Sequence, residues 1–181
     1  MLRVGDPAPP FVAQPVFGLR TEMPPPPGGR PMVLCFVRNL ASPFSRAVMA
    51  EIQLRYPDFD REGFSLVVVT PTDLTQARDF VPRHHVLAPV VVDEDGALHR
   101  AWQVGSDRAL AGSLRSLLQP ARVSAIMQAL HHGHGRPHRD INQLGAQFVV
   151  GSDGRIALAA YDRSIADQPD LESLLECARS L

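Results

Sequence analysis

The 181-residue sequence contains no lysine, so all eighteen of its basic residues are arginines. Schiff-base chemistry and lysine-based phosphate binding are thereby excluded. Cysteine is scarce as well. Cys35 and Cys177 lie far apart and form neither a Cys-x-x-Cys pair nor metal-type spacing, which excludes a disulfide-dense scaffold. No stretch approaches the roughly eighteen uninterrupted apolar residues of a membrane span. The opening Met1-Leu2-Arg3-Val4-Gly5-Asp6 has no apolar signal core. A cytosolic location without membrane association is expected. An excess of charge of one sign is also missing: eighteen basic and nineteen acidic residues leave a net charge of -1. Nothing in bulk drives the chain toward nucleic acid, which is not expected as a partner. No cofactor is expected.

What is present fits one globular domain: 45% of the residues are hydrophobic and 20% are charged. Residues 1–30 hold eight prolines, Pro24 to Pro27 among them, and read as an extended arm with at most a short strand around Phe11 to Ala13. Residues 31–181 form the domain proper. Pro31 to Val37 and Phe64 to Val69 are short, nearly continuous apolar runs, the pattern of strands buried on both faces of a mainly parallel sheet. Between them Phe44, Val48, Ile52 and Tyr56 recur every four residues along one helical stripe.

A second helix is predicted over Thr72 to Val81, a third strand over Leu87 to Val92, and a short helix with Leu98, Ala101 and Trp102 after the turn Asp93-Glu94-Asp95-Gly96. Asp107 to Leu130 reads as helical, divided at Pro120. Gln147 to Val150 and Ile156 to Tyr161 flank Gly151-Ser152-Asp153-Gly154, a hairpin with Asp153-Gly154 in its turn, and Leu171 to Leu181 closes the chain as an amphipathic helix. Strand-helix-strand units, a hairpin and a terminal helix predict an α/β layer: a thioredoxin-like fold with a central mixed sheet flanked by helices.

Several segments resemble a known family in the order that family has them. Val4-Gly5-Asp6-Pro7-Ala8-Pro9-Pro10-Phe11 is similar to the opening of the alkyl hydroperoxide reductase and thiol-specific antioxidant (AhpC/TSA) family. Leu34 to Leu40, the helix start at Pro43, and Pro89 to Val92 with the acidic turn Asp93 to Gly96 follow in sequence. The strongest match runs from Gln143 to Ile156 and on through Tyr161 to Asp170, and resembles the peroxiredoxin-like branch that includes selenoprotein U relatives. The resemblance implies thiol-dependent reduction of peroxides or disulfides as the ancestral activity, and a homodimer.

In that branch the helix after the first core strand begins with Cys-x-x-Cys, whereas the matching residues here are Ser42-Pro43-Phe44-Ser45. A helix N-terminus stabilises a thiolate through its unpaired N–H groups and macrodipole. A serine hydroxyl is far less acidic, and oxygen does not cycle through sulfenic acid and disulfide as sulfur does. Peroxide turnover at this site is therefore not expected. Ser42 also fits a plain helix N-cap followed by Pro43 at the first helical position. Cys35, within an apolar strand, and Cys177, on the last helix, read as packing residues.

The same resemblance places Arg38 and Arg163 beside the old thiol site, where an arginine orients an anion or a peroxide oxygen; a surface or ion-pair role is the alternative. It also sets Leu144-Gly145-Ala146 facing the helix start. The expected pocket is thus lined by Pro43, Phe44, Arg38, Gly145, Ala146 and Arg163 around Ser42 and Ser45. Binding of a protein or small molecule is the leading functional expectation. The enzymatic rival is a thiol peroxidase whose natural residues at 42 and 45 are cysteine. A third reading is metal binding: His131, His132, His134 and His138, four of the seven histidines, fall within eight residues. Gly133, Gly135 and Pro137 among them favour a solvated loop.

Overall fold

A computed structural model describes residues 1–24, 28–106, 143–163, 167 and 170–181. Two strands, rather than at most one, form in the proline-rich arm: β1 (Phe11–Ala13) pairs antiparallel with β2 (Thr21–Met23). Gly18, at φ 125°, adopts within the connection a backbone conformation that side-chain-bearing residues rarely reach. The arm is tied to the rest of the chain, since the Val16 amide donates to Val90 O at 2.7 Å and Ala8 and Ala13 are buried.

The core sheet contains β3 (Met32–Phe36), β4 (Ser65–Thr70), β5 (Val90–Val92), β6 (Ala146–Val150) and β7 (Ile156–Tyr161), in the order β5-β4-β3-β6-β7. β3, β4 and β5 run parallel, whereas β6 and β7 are antiparallel to their neighbours, which makes the sheet mixed as predicted. Every residue of β3 is buried, as its unbroken apolar run requires of a strand covered on both sides. The β6–β7 hairpin turns through Gly154 at φ 78°, a conformation suited to glycine.

Side-chain alternation along the strands sends Val33 and Cys35 to one face and Met32, Leu34 and Phe36 to the other. The first face is covered by α1 (Pro43–Arg61), α2 (Leu74–Arg83) and α4 (Leu171–Arg179), through Val48, Ile52, Phe80, Leu171 and Leu174. On the second face lie the short α3 (Ala97–Ala101), Trp102 and the β1–β2 ribbon. Trp102 is fully buried, with its ring centroid 4.8 Å from Phe148 and 6.0 Å from Phe36. Truncating any of these three rings to alanine is worth about 3–5 kcal/mol by the usual cost of large-to-small core changes.

The helical pattern over 107–130 and the histidine cluster His131, His132, His134 and His138 lie outside the described residues. Among the described residues, no three His, Cys, Asp or Glu side chains are placed to hold a metal ion, and no helix is long and apolar enough to cross a membrane.

Candidate functional site

The parallel pairing of β3 with β4 puts the C-terminal ends of both strands at one edge, where the chain leaves β3 for α1. That connection is held by two fully buried hydroxyls. Thr70 Oγ1 donates to Arg38 O at 3.2 Å, and Thr72 Oγ1 accepts from the Leu40 amide at 2.8 Å. The two oxygens are 2.9 Å apart. Because the Thr70 proton is committed to Arg38, Thr72 is the donor between them. Asn39 Oδ1 adds a bond from the Ala41 amide at 2.9 Å, and Arg46 Nε donates to Leu40 O at 2.9 Å. Residues 38–41 are therefore fixed as they deliver Ser42 and Pro43 to the start of α1.

Ser42 occupies the N-cap position with Pro43 behind it, but its hydroxyl makes no capping hydrogen bond. In contrast, the Asp73 and Asp170 carboxylates cap α2 and α4 by accepting from Gln76 N and Ser173 N. The expected side-chain cap is absent, and the Phe44 and Ser45 amides find no acceptor among the described residues. Ser45, one turn in, is only 2% exposed, and its Oγ has no hydrogen-bond partner among the described residues.

A cleft opens beside this first turn. Phe44, Ser45 and Val48 of α1 form one wall, the end of β3 with Val37 and Arg38 a second, and Gly145, Gln147, Asp162 and Asp167 a third. Its cavity volume is only about 20 Å³. That is room for about one water molecule.

The third wall results from the β6–β7 pairing, which sets Ala146 opposite Tyr161 and brings the flanking Gly145 and Asp162 together. The Asp162 amide donates to Gly145 O at 3.1 Å, and Gln147 Nε2 reaches Asp162 Oδ1 at 3.3 Å. Burial, and next to it the charge of Asp167, pushes the Asp162 carboxyl up to about 6, against the hydrogen bonds from Gln147 and Gly145 and the charge of Arg38. Arg38 is itself positioned by its Nε, which donates to Gln143 O at 2.9 Å.

Of the residues singled out in the sequence, Ser45, Phe44, Arg38 and Gly145 meet on this cleft. Ser42, Pro43, Ala146 and Arg163 are not on its wall. Ala146 is the neighbour of Gln147 on a strand, so the side chain of Gln147 takes the cleft face and Ala146 packs into the opposite core. Arg163 is exposed, and its amide donates to Asp167 Oδ2 at 2.7 Å. Gln147, Asp162 and Asp167 were not anticipated. The one available signal was Gln147, a polar residue between Ala146 and the apolar run Phe148-Val149-Val150.

Both thiols are raised above their ordinary values. Cys35 is 1% exposed; burial, and next to it the Asp162 charge, pushes its thiol up to about 12. Burial also raises Cys177. Neither forms a disulfide.

A second polar pair lies on the other face. His99 Nδ1 is 2.6 Å from Asp93 Oδ2, and both side chains are almost fully buried. Burial alone would push the Asp93 carboxyl up, but the bond from the His99 ring, those from the His99 and Leu98 amides and the imidazole charge together hold it below its ordinary value. The Asp93 carboxylate accepts a hydrogen bond from Nδ1, and Nε2, at the other side of the ring, has no partner among the described residues.

Residues 51–164 match the sequence model of the AhpC/TSA antioxidant enzyme family. The chain belongs to that family. The match begins at Glu51, C-terminal to Ser42 and Ser45, so membership rests on the stretch from within α1 through β4, β5, β6, β7 and the Gly145–Asp162 corner, and leaves β3 and the helix start out. Among solved structures, this AhpC/TSA chain is similar to the peroxidoxin BcpB from Mycobacterium tuberculosis, with a TM-score of 0.72 and 13% identity over 100% of this chain and 99% of that one. It is similar also to a cysteine-to-serine mutant of the peroxiredoxin 6 of Arenicola marina, with a TM-score of 0.72 and 15% identity over 99% and 73% of the two chains. These likenesses show a thioredoxin-like, peroxiredoxin-type fold. One curated relative, named an HTH-type transcriptional regulator PtxS, from Pseudomonas plecoglossicida, is 30% identical over 166 residues, 83% of this chain and 46% of that protein. The chain thus spans about half the length of the curated relative it matches.

Proposed function

We propose that this AhpC/TSA chain keeps the family's pocket without its thiol chemistry and acts by binding a small polar molecule in the cleft beside the start of α1. The observation that carries the reading is Ser45: a hydroxyl 2% exposed, with no partner among the described residues, on the wall of a cleft that the fold otherwise builds with care. An orphaned buried hydroxyl costs about 1–3 kcal/mol, and a bound ligand offsets that cost. Serine at 42 and 45 supplies no sulfur to oxidise, and the one thiol near the cleft, Cys35, is held at about 12, far from the thiolate form at neutral pH. The Pseudomonas relative's name, a transcriptional regulator, favours sensing over turnover. The reading includes a cytosolic location, consistent with two free thiols.

The test is consumption of hydrogen peroxide and an alkyl hydroperoxide with thioredoxin or glutathione as reductant. No catalysed turnover above buffer is expected. Robust turnover overturns the proposal, whether it is lost in the Cys35→Ser, Cys177→Ser double variant, which would assign it to a thiol, or persists there.

A further inference from the structure

The first turn of α1 has the features of an anion site that lacks its anion. α1 is 19 residues long, its N-cap hydroxyl is disengaged, and the Phe44 and Ser45 amides have no acceptor among the described residues. A helix of that length carries roughly half a positive charge at this end. The buried Ser45 hydroxyl, a donor without an acceptor among the described residues, lies in the same turn, and Arg38 lines the same cleft. A thiolate at the helix start would be the local anion. Serine is neutral, so the helix start supplies no negative charge of its own to offset the positive end.

Two carboxylates oppose a second negative charge. Asp162 and Asp167 both line the cleft, and an anion entering between them and Arg38 would meet their repulsion unless one of them takes a proton. Asp162 is placed to do so. It faces Arg38 from the end of β3, Gln147 from β6, Cys35 from within β3 and Asp167 beyond β7, while α1 presents only Phe44, Ser45 and Val48 to the cleft. Size sets the other limit. A cavity of about 20 Å³ admits a single oxygen-sized group, so the remainder of the ligand has to stay outside it.

We propose that the cleft binds a small monocarboxylate, its oxygen on the Ser45 hydroxyl and the first-turn amides of α1, and that one proton is taken up from solvent onto Asp162 as it binds. This rests on the binding role above and names its ligand class. Doubly charged phosphate and sulfate are disfavoured by both charge and size.

Isothermal titration of the intact chain with sodium formate, with formamide as the uncharged isostere, tests it. Saturable one-site binding is expected, with formamide at least about tenfold weaker. Above about pH 6, the affinity for formate should fall by up to about tenfold per pH unit, the signature of one coupled proton. Ser45→Ala should weaken formate by about fivefold, the worth of one hydrogen bond. Asp162→Asn should remove the pH dependence, and it provides an independent readout if Ser45→Ala does not fold. Absence of saturable formate binding, equal binding of formamide, or unchanged binding in a folded Ser45→Ala variant overturns the proposal. Missing formate binding without peroxide turnover defeats this inference alone, whereas peroxide turnover defeats the reading beneath it.

Discussion

Gly145 and Asp162 approach so closely that a Cβ on Gly145 would strike the Asp162 carboxylate and lie 2.8 Å from Phe36 O. Glycine is needed here for space, because the contact on the other side is backbone and cannot yield. Gly145→Ala is expected to destabilise the fold by about 2 kcal/mol, the usual cost of overpacking, and to push Asp162 off Gln147. Urea unfolding measures the first effect. A fall in the Asp162 pKa, read from its carboxyl carbon chemical shift as the group moves toward water, measures the second.

Asp162 also sets the sign of a pH dependence. Its folded value, about 6, lies above the ordinary 3.8, so the folded state holds the proton more tightly than the unfolded chain does. Stability from this group is complete below about 3.8, declines as pH rises toward about 6 and is flat above it. The full difference is on the order of 3 kcal/mol. Asp162→Asn should therefore stabilise the protein at pH 7 and lose that advantage near pH 3. Chemical denaturation at both pH values decides; an equal effect at the two would refute the assignment.

The sheet was legible because its strands are apolar runs of strand length separated by turn signals, and the β6–β7 hairpin carries Asp153-Gly154 in its turn. The second strand of the proline-rich arm was hidden, since Thr21-Glu22-Met23 offers no apolar run and its pairing with Phe11–Ala13 is a tertiary event. At the cleft, Ser45 and Arg38 could be placed from the helix start and the family resemblance. Asp162 could not: a lone aspartate after a strand has no periodicity, and its environment exists only once β6 and β7 pair and carry it to Gly145. Ala146 was misplaced by one residue, and on a strand one residue is the opposite face.

The Asp93–His99 pair makes a separate prediction. The Asp93 carboxylate accepts from the Leu98 amide at 3.1 Å, the His99 amide at 2.9 Å and the His99 ring at 2.6 Å, and so it fixes both the start of α3 and the imidazole. Asp93→Ala strands two buried donors and a part-buried one and should cost about 3 kcal/mol. Asp93→Asn should cost less, because its carbonyl oxygen still accepts from the amides. Since the Asp93 carboxyl is held below its ordinary value, its contribution is present at neutral pH and lost as pH falls below about 3.8. Thermal unfolding of both variants at pH 7 and pH 3 tests this: the difference between wild type and Asp93→Ala should shrink at the lower pH.

Replacing Ser42 by cysteine asks whether the helix start still supports thiol chemistry. Ser42 is partly exposed and precedes a first turn whose amides lack acceptors, so a sulfur there would face the positive end of α1, with Arg38 and Arg46 on the adjoining segments. Those features lower a thiol pKa below the ordinary value of about 8.5. Asp162 and Asp167, on the cleft beside the same helix turn, work against the shift, which predicts a modest depression, of about one pH unit, where an unopposed site would give several. Cys35, held at about 12, and Cys177, also raised, are internal references within the same molecule. In Ser42→Cys, alkylation by iodoacetamide at pH 7 should modify residue 42 at least about tenfold faster than Cys177, and Cys35 should react only after unfolding. Peptide mapping by mass spectrometry gives all three rates at once. If residue 42 reacts no faster than Cys177, the helix start no longer activates a thiol, and the cleft has departed from the family chemistry in its electrostatics as well as in its serines.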